Sequence, residues 1–360
     1  MTARIDVNLG DRSYPIFVTA DYSGMGKCLK EAGISGKLAV ITDSNVDKHL
    51  WDRFRKELGT YEDGIFKHVI PAGEASKNLD TVKEIYKFLF DLRLDRSSTI
   101  AALGGGVTGD IAGFAAATFL RGINFVQVPT SLLAQADSSV GGKVGVDFEG
   151  GKNMIGAFYQ PKLVYANVGS LSTLPEREFK SGLAEVVKHG MIADAGFFSF
   201  LEDNMDAVLG LDAETLKYVV KTNCSIKSGV VEKDEKESGL RAILNFGHTT
   251  GHAVESASGF KMLHGECVSV GIVAACKMAQ YLGMIDDSVL RRAEAILGRI
   301  GLPVAISGID PEDILNRMLH DKKIKNGRLT FVLPKKIGEV ERRVIDDHGL
   351  IRKVLREITV

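Results

Sequence analysis

Three of the eight histidines in this chain, His248, His252 and His264, lie close together and could bind a metal ion. His248 and His252 are four residues apart, so on a helix their side chains would share one face. Two histidines at this spacing are typical of zinc sites. Spacing alone therefore predicts that both are metal ligands. The alternative is that one is a ligand and the other has a different role.

A metal site of this kind needs a third ligand from elsewhere in the chain. Glu185 is a candidate, because a carboxylate oxygen is a common zinc ligand. It precedes Lys188 by three residues, so on a helix the two side chains would be neighbours. The alternative, which periodicity alone favours, is a solvated ion pair on the surface.

A second group of residues with chemical potential fills the window 104–156, which contains twelve glycines. Its motifs are GGGVTGD at 104–110, PTSLLAQ at 129–135, DSSVGGK at 137–143 and GKNMIG at 151–156. Glycine lets backbone N–H groups approach an anionic ligand closely. Lys143, Lys152 and Asn153 add polar groups. The window therefore predicts a region that holds phosphates.

The tri-glycine motif is not a Walker A loop, because no Gly-Lys-Ser/Thr follows it. Gly104, Gly106 and Gly109 fit the dinucleotide pattern G-x-G-x-x-G, but such a match taken alone is weak evidence for a dinucleotide. The alternative is a tight turn between a strand and a helix.

A run of polar and charged residues precedes His248 and could bind an acidic, phosphorylated substrate. Its members are Lys227, Glu237, Arg241 and Asn245. The alternative is a charged, partly exposed helix that leads into a turn, as most charged runs are.

The elements that must position these residues change character along the chain. In the first half, short apolar runs predict buried strands at 37–43, 99–103, 125–128 and 163–166, and helical spacing predicts a helix over 78–92. Strands separated by helices indicate a parallel sheet covered on both faces. Ligands bind beyond the carboxyl ends of such strands, where the glycine motifs lie.

From residue 176 onward the patterns are mostly helical. Apolar stripes occur at 179–187 and 268–282, and a late strand is predicted at 329–333. The sequence therefore predicts an α/β nucleotide-binding domain over 1–175 and a mainly α-helical, metal- and substrate-binding domain over 176–360.

Composition excludes some classes of function. The 360 residues carry a net charge of −1, which gives no general attraction to nucleic acid or to an anionic membrane. An anionic ligand must therefore be bound by a local cluster of cations. The four cysteines form no C-x-x-C pair, and the start of the chain alternates like a strand rather than a signal peptide. Both features favour a cytoplasmic protein with reduced thiols.

Taken together, the motifs resemble those of the 3-dehydroquinate synthase family. Besides the four glycine-window motifs, the chain has FAAA at 114–117, RG at 121–122 and LNFGHT at 244–249, all in the family order. The resemblance runs from about residue 43 to residue 323. It implies a Rossmann-like N-terminal domain and a largely helical C-terminal domain, which agrees with a boundary near residue 175.

The resemblance implies NAD and one divalent metal ion, Zn²⁺ or Co²⁺, as cofactors. The implied metal ligands are Glu185, His248 and His264, and His252 becomes an acid–base residue that contacts substrate. The implied NAD-binding residues are Asp43, Asn45, Glu74, Lys77, Gly105, Gly106, Val107, Asp110, Thr130, Ser131, Lys152, Ser170, Leu171, Ser172 and Thr173.

The resemblance also implies a set of catalytic and substrate-binding residues. The catalytic positions are Lys143, Lys188, Glu237, Asn245 and His252. The substrate-binding positions are Arg121, Asp137, Asn153, Lys227, Arg241 and one lysine of the pair Lys322 and Lys323. Arg121 matches a residue that family members contribute across a dimer interface, so a homodimer is expected.

The chain departs from the family pattern in two segments. Ala72 replaces the usual Asp before Gly-Glu, and 144–147 reads VGVD instead of TGVN. Neither change removes a charged catalytic group, so they bear on cofactor affinity more than on the reaction.

The reaction that the resemblance implies converts 3-deoxy-D-arabino-heptulosonate 7-phosphate to 3-dehydroquinate and phosphate. It uses transient oxidation at C5 by NAD, elimination of phosphate, re-reduction and an aldol closure, with no net redox change. Three rivals stay open: a sister sugar-phosphate cyclase that makes an inosose or valiolone, a metal-dependent polyol dehydrogenase, and a non-catalytic nucleotide-binding module. Lys227 and Arg241 argue against the sister cyclases, whose substrates have no carboxylate.

Overall fold

The computed structural model describes residues 2–59, 64–320 and 328–360. The strands are β1 (Ala3–Val7), β2 (Tyr14–Thr19), β3 (Leu38–Asp43), β4 (Ile65–Ile70), β5 (Thr99–Gly104), β6 (Asn124–Pro129), β7 (Lys143–Phe148), β8 (Gly151–Phe158), β9 (Leu163–Asn167), β10 (Leu329–Lys336) and β11 (Glu339–Ile345). The α-helices are α1 (Met25–Glu31), α2 (Ser44–Glu57), α3 (Leu79–Asp91), α4 (Gly106–Thr118), α5 (Glu176–Ala193), α6 (Ala195–Leu209), α7 (Ala213–Lys233), α8 (His248–Ala257), α9 (His264–Tyr281), α10 (Asp287–Ile300), α11 (Pro311–His320) and α12 (His348–Ile358).

The chain divides into two compact units. The first contains the residues up to Pro175 together with Ala213–Glu232, and the second contains Glu176–Asp212 together with the chain from Lys233 onward. The division at residue 175 would assign α7 to the second domain, but almost all of this helix belongs to the first unit. The thiol of Cys224 in α7 donates to the backbone oxygen of Gln135, 3.2 Å away, which is one contact that holds the helix there.

The first unit contains a seven-stranded sheet with the order β1-β2-β9-β6-β5-β3-β4. Only β1 runs antiparallel to its neighbour β2, and the other neighbours are parallel. Strands β3, β5, β6 and β9 and helix α3 lie where the sequence predicts them. The parallel α/β fold of this part of the chain is therefore confirmed.

Alternating side chains of the central strands pack against helices on the two faces of the sheet. On one face, Met25 of α1 and Phe54 of α2 share a core with Val40 and Leu103. On the other face, α3 and α4 pack on the intervening strand residues, such as Ile41. Helices α2 and α4 therefore leave the adjacent strands β3 and β5 toward opposite faces. This arrangement opens a crevice at the carboxyl ends of the two strands, where ligands of such sheets bind.

The glycine motif at 151–156 does not follow a strand of the main sheet, and the motif at 137–143 ends at the first residue of a separate hairpin. The stretch 143–158 forms this antiparallel hairpin, β7–β8. Gly145 and Gly156 face each other in it, and a Cβ at Gly156 would lie 2.4 Å from the backbone oxygen of Val144. The expectation that all four motifs follow strands of the parallel sheet is therefore wrong. Glycines in both strands obscure the apolar–polar alternation that would have revealed the hairpin.

The second unit is mainly helical, as expected. It contains α5, α6 and α8–α12, together with the hairpin β10–β11, whose first strand covers the predicted strand at 329–333. Helix α9 is buried along most of its length, and helices α5, α8, α10 and α12 pack around it. In the described part of the chain, no helix is both long enough and apolar enough to span a membrane.

Candidate functional site

Three potential metal ligands converge in the second unit. Glu185 lies in α5, His248 is the first residue of α8, and His264 is the first residue of α9. Oε1 of Glu185 lies 3.4 Å from Nε2 of His248 and 3.2 Å from Nε2 of His264. One ligand atom from each residue lies within 4.8 Å of the other two. A carboxylate with two imidazoles is a donor set that suits Zn²⁺ or a similar divalent ion.

The carboxylate of this cluster is completely buried. Glu185 and Lys188 are 0% and 1% exposed, and Nζ of Lys188 forms an ion pair with Oε2 of Glu185. The alternative of a solvated surface pair is therefore wrong. Burial of two charges is costly and does not by itself stabilise a fold. Buried ionisable groups of this kind are typical of functional sites.

Each histidine of the cluster has an acceptor near its other ring nitrogen. Nδ1 of His248 lies 3.0 Å from the backbone oxygen of Phe246, and Nδ1 of His264 lies 3.6 Å from Oε2 of Glu255. Acceptors at Nδ1 favour the tautomer in which Nε2 carries the lone pair for a metal. Glu255 is buried and was missed from the sequence, although it follows His252 by three residues on α8.

The two histidines differ in basicity. Burial is the main reason that the pKa of His248 lies well below its ordinary value. Burial also acts to lower the pKa of His264, but hydrogen bonds and charges from Glu185 and Glu255 outweigh it and raise this pKa to about 9. Without a metal, both ring nitrogens of His264 are therefore protonated at neutral pH, and the imidazolium carries a positive charge. Metal binding would release one of these protons, since a ligating nitrogen must be deprotonated.

His252 is a neighbour of both histidines. Its ring centroid lies 5.1 Å from that of His248 and 5.9 Å from that of His264. One ring nitrogen of His252 lies within 4.8 Å of a ligand atom of Glu255 and of His264. Among the described residues, no such group of three ligand atoms contains both His248 and His252. The spacing of four residues therefore brings the two rings together without directing them at one common point.

The polar run before His248 does not form one exposed helix. Lys227 lies in α7, while Arg241 and Asn245 lie in a 3₁₀ helix at Leu240–Asn245. Arg241 is only 1% exposed, and Lys227 is also buried. Nδ2 of Asn245 donates to Oε1 of Glu237 at 3.1 Å. The alternative of a charged, partly exposed helix is therefore wrong.

In the first unit, Asp43 links the end of β3 to helix α4, which follows β5. It ends β3 and caps α2, and its Oδ1 accepts hydrogen bonds from the backbone N–H groups of Asn45 and Val46 at 3.0 and 3.1 Å. Its Oδ2 accepts a hydrogen bond of 3.2 Å from Thr108 Oγ1 in the first turn of α4. Gly105 caps α4, which begins at Gly106, so the positive end of this helix points at the crevice.

Asp110 of the same helix forms an ion pair with the buried Lys77, which lies before α3. Nζ of Lys77 is 2.7 Å from Oδ2 of Asp110 and 4.0 Å from Oε1 of Glu74. Burial acts to lower the pKa of Lys77, but the charges of Asp110 and Glu74 outweigh it and raise this pKa. Burial raises the pKa of Asp110 despite the lysine. Three of the predicted cofactor residues are thus brought together.

The carboxyl ends of β6 and β9 are joined by Gln135, a residue whose role was missed from the sequence. Its fully buried side-chain amide donates to the backbone oxygens of Pro129 and Asn167 at 3.1 and 2.8 Å, and to Oγ of Ser170 at 3.2 Å. Thr130 N donates to Gly104 O at 2.9 Å. The predicted cofactor residues at 130–131 and 170–173 therefore follow neighbouring strands.

The remaining predicted residues lie in several places. Nζ of Lys227 is 2.5 Å from Oδ1 of Asp137. Lys143, Lys152 and Asn153 are exposed on the hairpin β7–β8, and Val107 lies in the first turn of α4. Arg121 is exposed in a turn where its φ is 65°. Lys322 and Lys323 lie outside the described residues.

Comparisons with known proteins agree with this geometry. Residues 67–181 match the family described as 3-dehydroquinate synthase N-terminal, and residues 182–324 match 3-dehydroquinate synthase C-terminal. The 3-dehydroquinate synthase of Acetivibrio thermocellus is 59% identical over 356 residues, which cover 99% of each chain.

Two solved structures of sugar-phosphate cyclases have the same fold. A 2-deoxy-scyllo-inosose synthase complexed with carbaglucose-6-phosphate, NAD⁺ and Co²⁺ superimposes with a TM-score of 0.90 at 27% identity, over 99% of this chain and 100% of that one. The 2-epi-5-epi-valiolone synthase from Streptomyces hygroscopicus, with NAD⁺ and Zn²⁺ bound, gives 0.88 at 25% identity over 98% of each chain. With family matches that together cover most of its length, the chain belongs to the 3-dehydroquinate synthase family.

Proposed function

We propose that this protein converts 3-deoxy-D-arabino-heptulosonate 7-phosphate to 3-dehydroquinate and phosphate, a step of the shikimate pathway toward chorismate and the aromatic amino acids. The observation that carries the proposal is the convergence of Glu185, His248 and His264 in a chain 59% identical to a 3-dehydroquinate synthase.

We propose that the protein uses one NAD and one divalent metal ion, as the two solved cyclases contain NAD⁺ with Co²⁺ or Zn²⁺. Glu185, His248 and His264 would hold the metal, and their donor atoms fit it. When bound, NAD supplies reversible hydride transfer and the metal supplies Lewis acidity.

The crevice at the ends of β3 and β5 is the proposed NAD site. Gly105 and Gly106 would lie near the pyrophosphate at the start of α4. The carboxylate of Asp43 would accept hydrogen bonds from a ribose and would repel a 2′-phosphate, so we expect NAD rather than NADP. The rest of the proposed cofactor set consists of Asn45, Glu74, Lys77, Val107, Asp110, Thr130, Ser131, Lys152 and the loop at 170–173.

The other proposed roles follow from the chemistry of each side chain. Arg241 would pair with the substrate carboxylate, because a guanidinium can form two parallel hydrogen bonds with it. Lys227 is assigned to the same acidic substrate. Lys143 and Asn153 would bind the phosphate, and His252 would move a proton at a substrate oxygen. Lys143, Lys188, Glu237 and Asn245 keep the catalytic roles that the family implies, and Asp137 keeps its substrate-binding role.

The proposal also covers the location of the protein, the class of its substrate, its oligomeric state and the roles of its two domains. The protein would act in the cytoplasm on a phosphorylated sugar acid. It would form a homodimer in which Arg121 contributes to the substrate site of the partner subunit, and the exposure of Arg121 supports this role. The cofactor domain would comprise 1–175 and the metal- and substrate-binding domain 176–360. Of the latter range, Ala213–Glu232 in α7 belongs to the first compact unit.

A sister sugar-phosphate cyclase activity is the second candidate, because the inosose synthase superimposes with a TM-score of 0.90. The buried Arg241 favours the proposed reaction, since inosose and valiolone substrates have no carboxylate that would need it.

The decisive experiment measures phosphate release from the heptulosonate phosphate with catalytic amounts of NAD⁺, with and without a chelator. Glucose 6-phosphate and sedoheptulose 7-phosphate, which lack the carboxylate, are the matched control substrates. We expect release only from the acid, with loss of activity in the chelator and recovery with Zn²⁺ or Co²⁺. Release from a control substrate alone would establish the second candidate instead.

A further inference from the structure

A single carboxylate, that of Asp234, organises the loop that carries Glu237 and Arg241, two predicted functional residues of the second unit. Oδ1 of Asp234 accepts hydrogen bonds from the backbone N–H and the hydroxyl of Ser238, at 2.7 and 2.9 Å. Oδ2 accepts hydrogen bonds from the backbone N–H groups of Gly239 and Arg241, at 2.7 and 2.9 Å. One side chain therefore receives four hydrogen bonds from the next seven residues.

The loop needs such an anchor because its backbone is irregular. It connects the end of α7 at Lys233 to the 3₁₀ helix at Leu240–Asn245. Glu237 has a φ of 58°, in the left-handed region that side chains other than glycine rarely adopt. A strained conformation of this kind persists only where surrounding contacts hold it. The hydrogen bonds of Asp234 connect a residue that precedes Glu237 to three residues that follow it, and they supply such contacts. They also lower the pKa of Asp234, so its carboxylate is charged at neutral pH.

The anchored loop determines where three predicted functional side chains lie. Asp234 bonds directly to the main chain of Arg241, whose guanidinium in turn donates to the backbone oxygen of Glu235. Glu237 accepts a hydrogen bond from the side chain of Asn245, the last residue of the 3₁₀ helix that follows. A shift of about 1 Å in a substrate-binding group can cost on the order of a hundred-fold in rate. Rigid support for these side chains therefore has a direct catalytic consequence.

We infer that Asp234 is a positioning residue: its carboxylate holds the loop 234–241 in the conformation that places Arg241 and the Glu237–Asn245 pair before substrate binds. Asp234 itself does not touch substrate. The inference rests on the proposed function, because it presumes that Arg241 binds a substrate acid.

The test compares two Asp→Asn variants of the holoenzyme, with NAD⁺ and metal present. Asp347 is the matched control, because it also accepts two backbone N–H groups in the second unit, at the start of α12, and has no predicted functional role. We expect Asp234→Asn to lower kcat/KM by about ten- to a hundred-fold, mainly through KM. We expect Asp347→Asn to keep kcat/KM within about two-fold, whatever its effect on the denaturant midpoint. Metal content and NAD affinity should be those of the wild type in both.

A double variant separates positioning from general destabilisation. If Asp234 acts through Arg241, the Asp234→Asn/Arg241→Ala protein should be about as active as Arg241→Ala alone, because residues that act as a unit are not additive. Losses that multiply would overturn the inference. Ser238→Ala removes only one of the four hydrogen bonds and should fold if Asp234→Asn does not. We expect it to raise KM by about two- to ten-fold, and an unchanged KM would contradict the inference.

Phosphate release by the wild type distinguishes a failure of the proposed function from a failure of the role inferred for Asp234. A wild type that releases no phosphate would overturn the proposed function, and this inference with it. An active wild type whose Asp234→Asn variant keeps kcat/KM within about two-fold would overturn the inference alone.

Discussion

The glycine window of the first unit and the histidine cluster of the second unit both predict a ligand site from the sequence, but their residues have different surroundings in the structure. Several glycines that suggested an open anion site are needed for close packing instead. A Cβ at Gly109 would lie 2.8 Å from Gln127, and one at Gly113 would lie 2.4 Å from Val144. In the histidine cluster, by contrast, Glu185, His248 and His264 bring their polar atoms to one point.

The difference shows what each kind of signal contains. A high glycine content indicates that another group approaches the backbone closely, and that group can be a ligand or a neighbouring strand. Histidine and glutamate residues indicate that a metal could bind, but their spacing along one helix indicates only which side chains are neighbours. His248 and His252 satisfy the spacing, whereas the carboxylate that faces His248 comes from α5, far away in the sequence.

The largest effect should follow loss of a ligand in the histidine cluster. His248→Ala should lose the bound metal, and activity should fall by about three orders of magnitude or more, since Lewis acidity contributes several kcal/mol to the barrier. Metal content is measured by elemental analysis of protein loaded with Zn²⁺ and then dialysed.

His252→Ala is the matched control on the same helix. It should keep the metal but lose activity, because His252 is assigned to proton transfer. If His252→Ala loses the metal while His264→Ala retains it, the pair suggested by spacing is the true ligand pair.

The fold of the first unit could be predicted well from the sequence because its signals are local. The apolar runs of β3, β5, β6 and β9 are short and bounded by polar or turn residues, and each pairs with neighbours of the same kind. The hairpin β7–β8 was missed because Gly145 and Gly156 interrupt the alternation that marks a strand.

The supporting residues of both regions could not be predicted in the same way. Glu255 and Asp234 matter through contacts with His264 and with the backbone N–H of Arg241, and a charged side chain in isolation gives no sign of such a partner. Gln135 binds backbone oxygens at the ends of two different strands, so its role depends on the order of strands in the sheet. Contacts between distant parts of a sequence become visible only in three dimensions.

A smaller loss of activity, without loss of metal, should follow truncation of Arg241 in the loop 234–241. Arg241→Ala should lower kcat/KM by tens- to thousands-fold, because an underpaired substrate carboxylate typically costs about 2–5 kcal/mol. Metal content and NAD affinity should hardly change, since Arg241 is assigned to neither. Near-normal phosphate release from this variant would withdraw the carboxylate assignment, and with it the preference over sister cyclases.

A smaller effect should follow loss of the acceptor beside His264. Glu255→Gln removes the charge that faces Nδ1 of His264 but keeps the size of the side chain. Metal affinity should fall by about ten- to a hundred-fold, as for other acceptors that orient a ligating histidine. Competition with a chromophoric chelator measures this affinity without substrate. An unchanged affinity would show that Glu255 does not orient the ligand.

The smallest effects divide the glycine window itself. Gly113→Ala places a Cβ 2.4 Å from Val144 Cγ1, so α4 must shift, and overpacking of this kind costs about 1–3 kcal/mol of unfolding free energy. NAD affinity of the folded protein should stay within about three-fold of the wild type, because Gly113 lies two turns from the start of α4.

Gly105→Ala should lower NAD affinity and leave stability almost unchanged. Its φ is −74°, and the nearest atom to an added Cβ is the movable Ser131 Oγ at 3.3 Å, so stability should change by less than about 0.5 kcal/mol. The added methyl would instead occupy space that the pyrophosphate needs, and NAD affinity in isothermal titration should fall by about ten-fold or more. Wild-type NAD affinity in Gly105→Ala would mean that the glycines at the start of α4, like Gly109 and Gly113, serve packing alone.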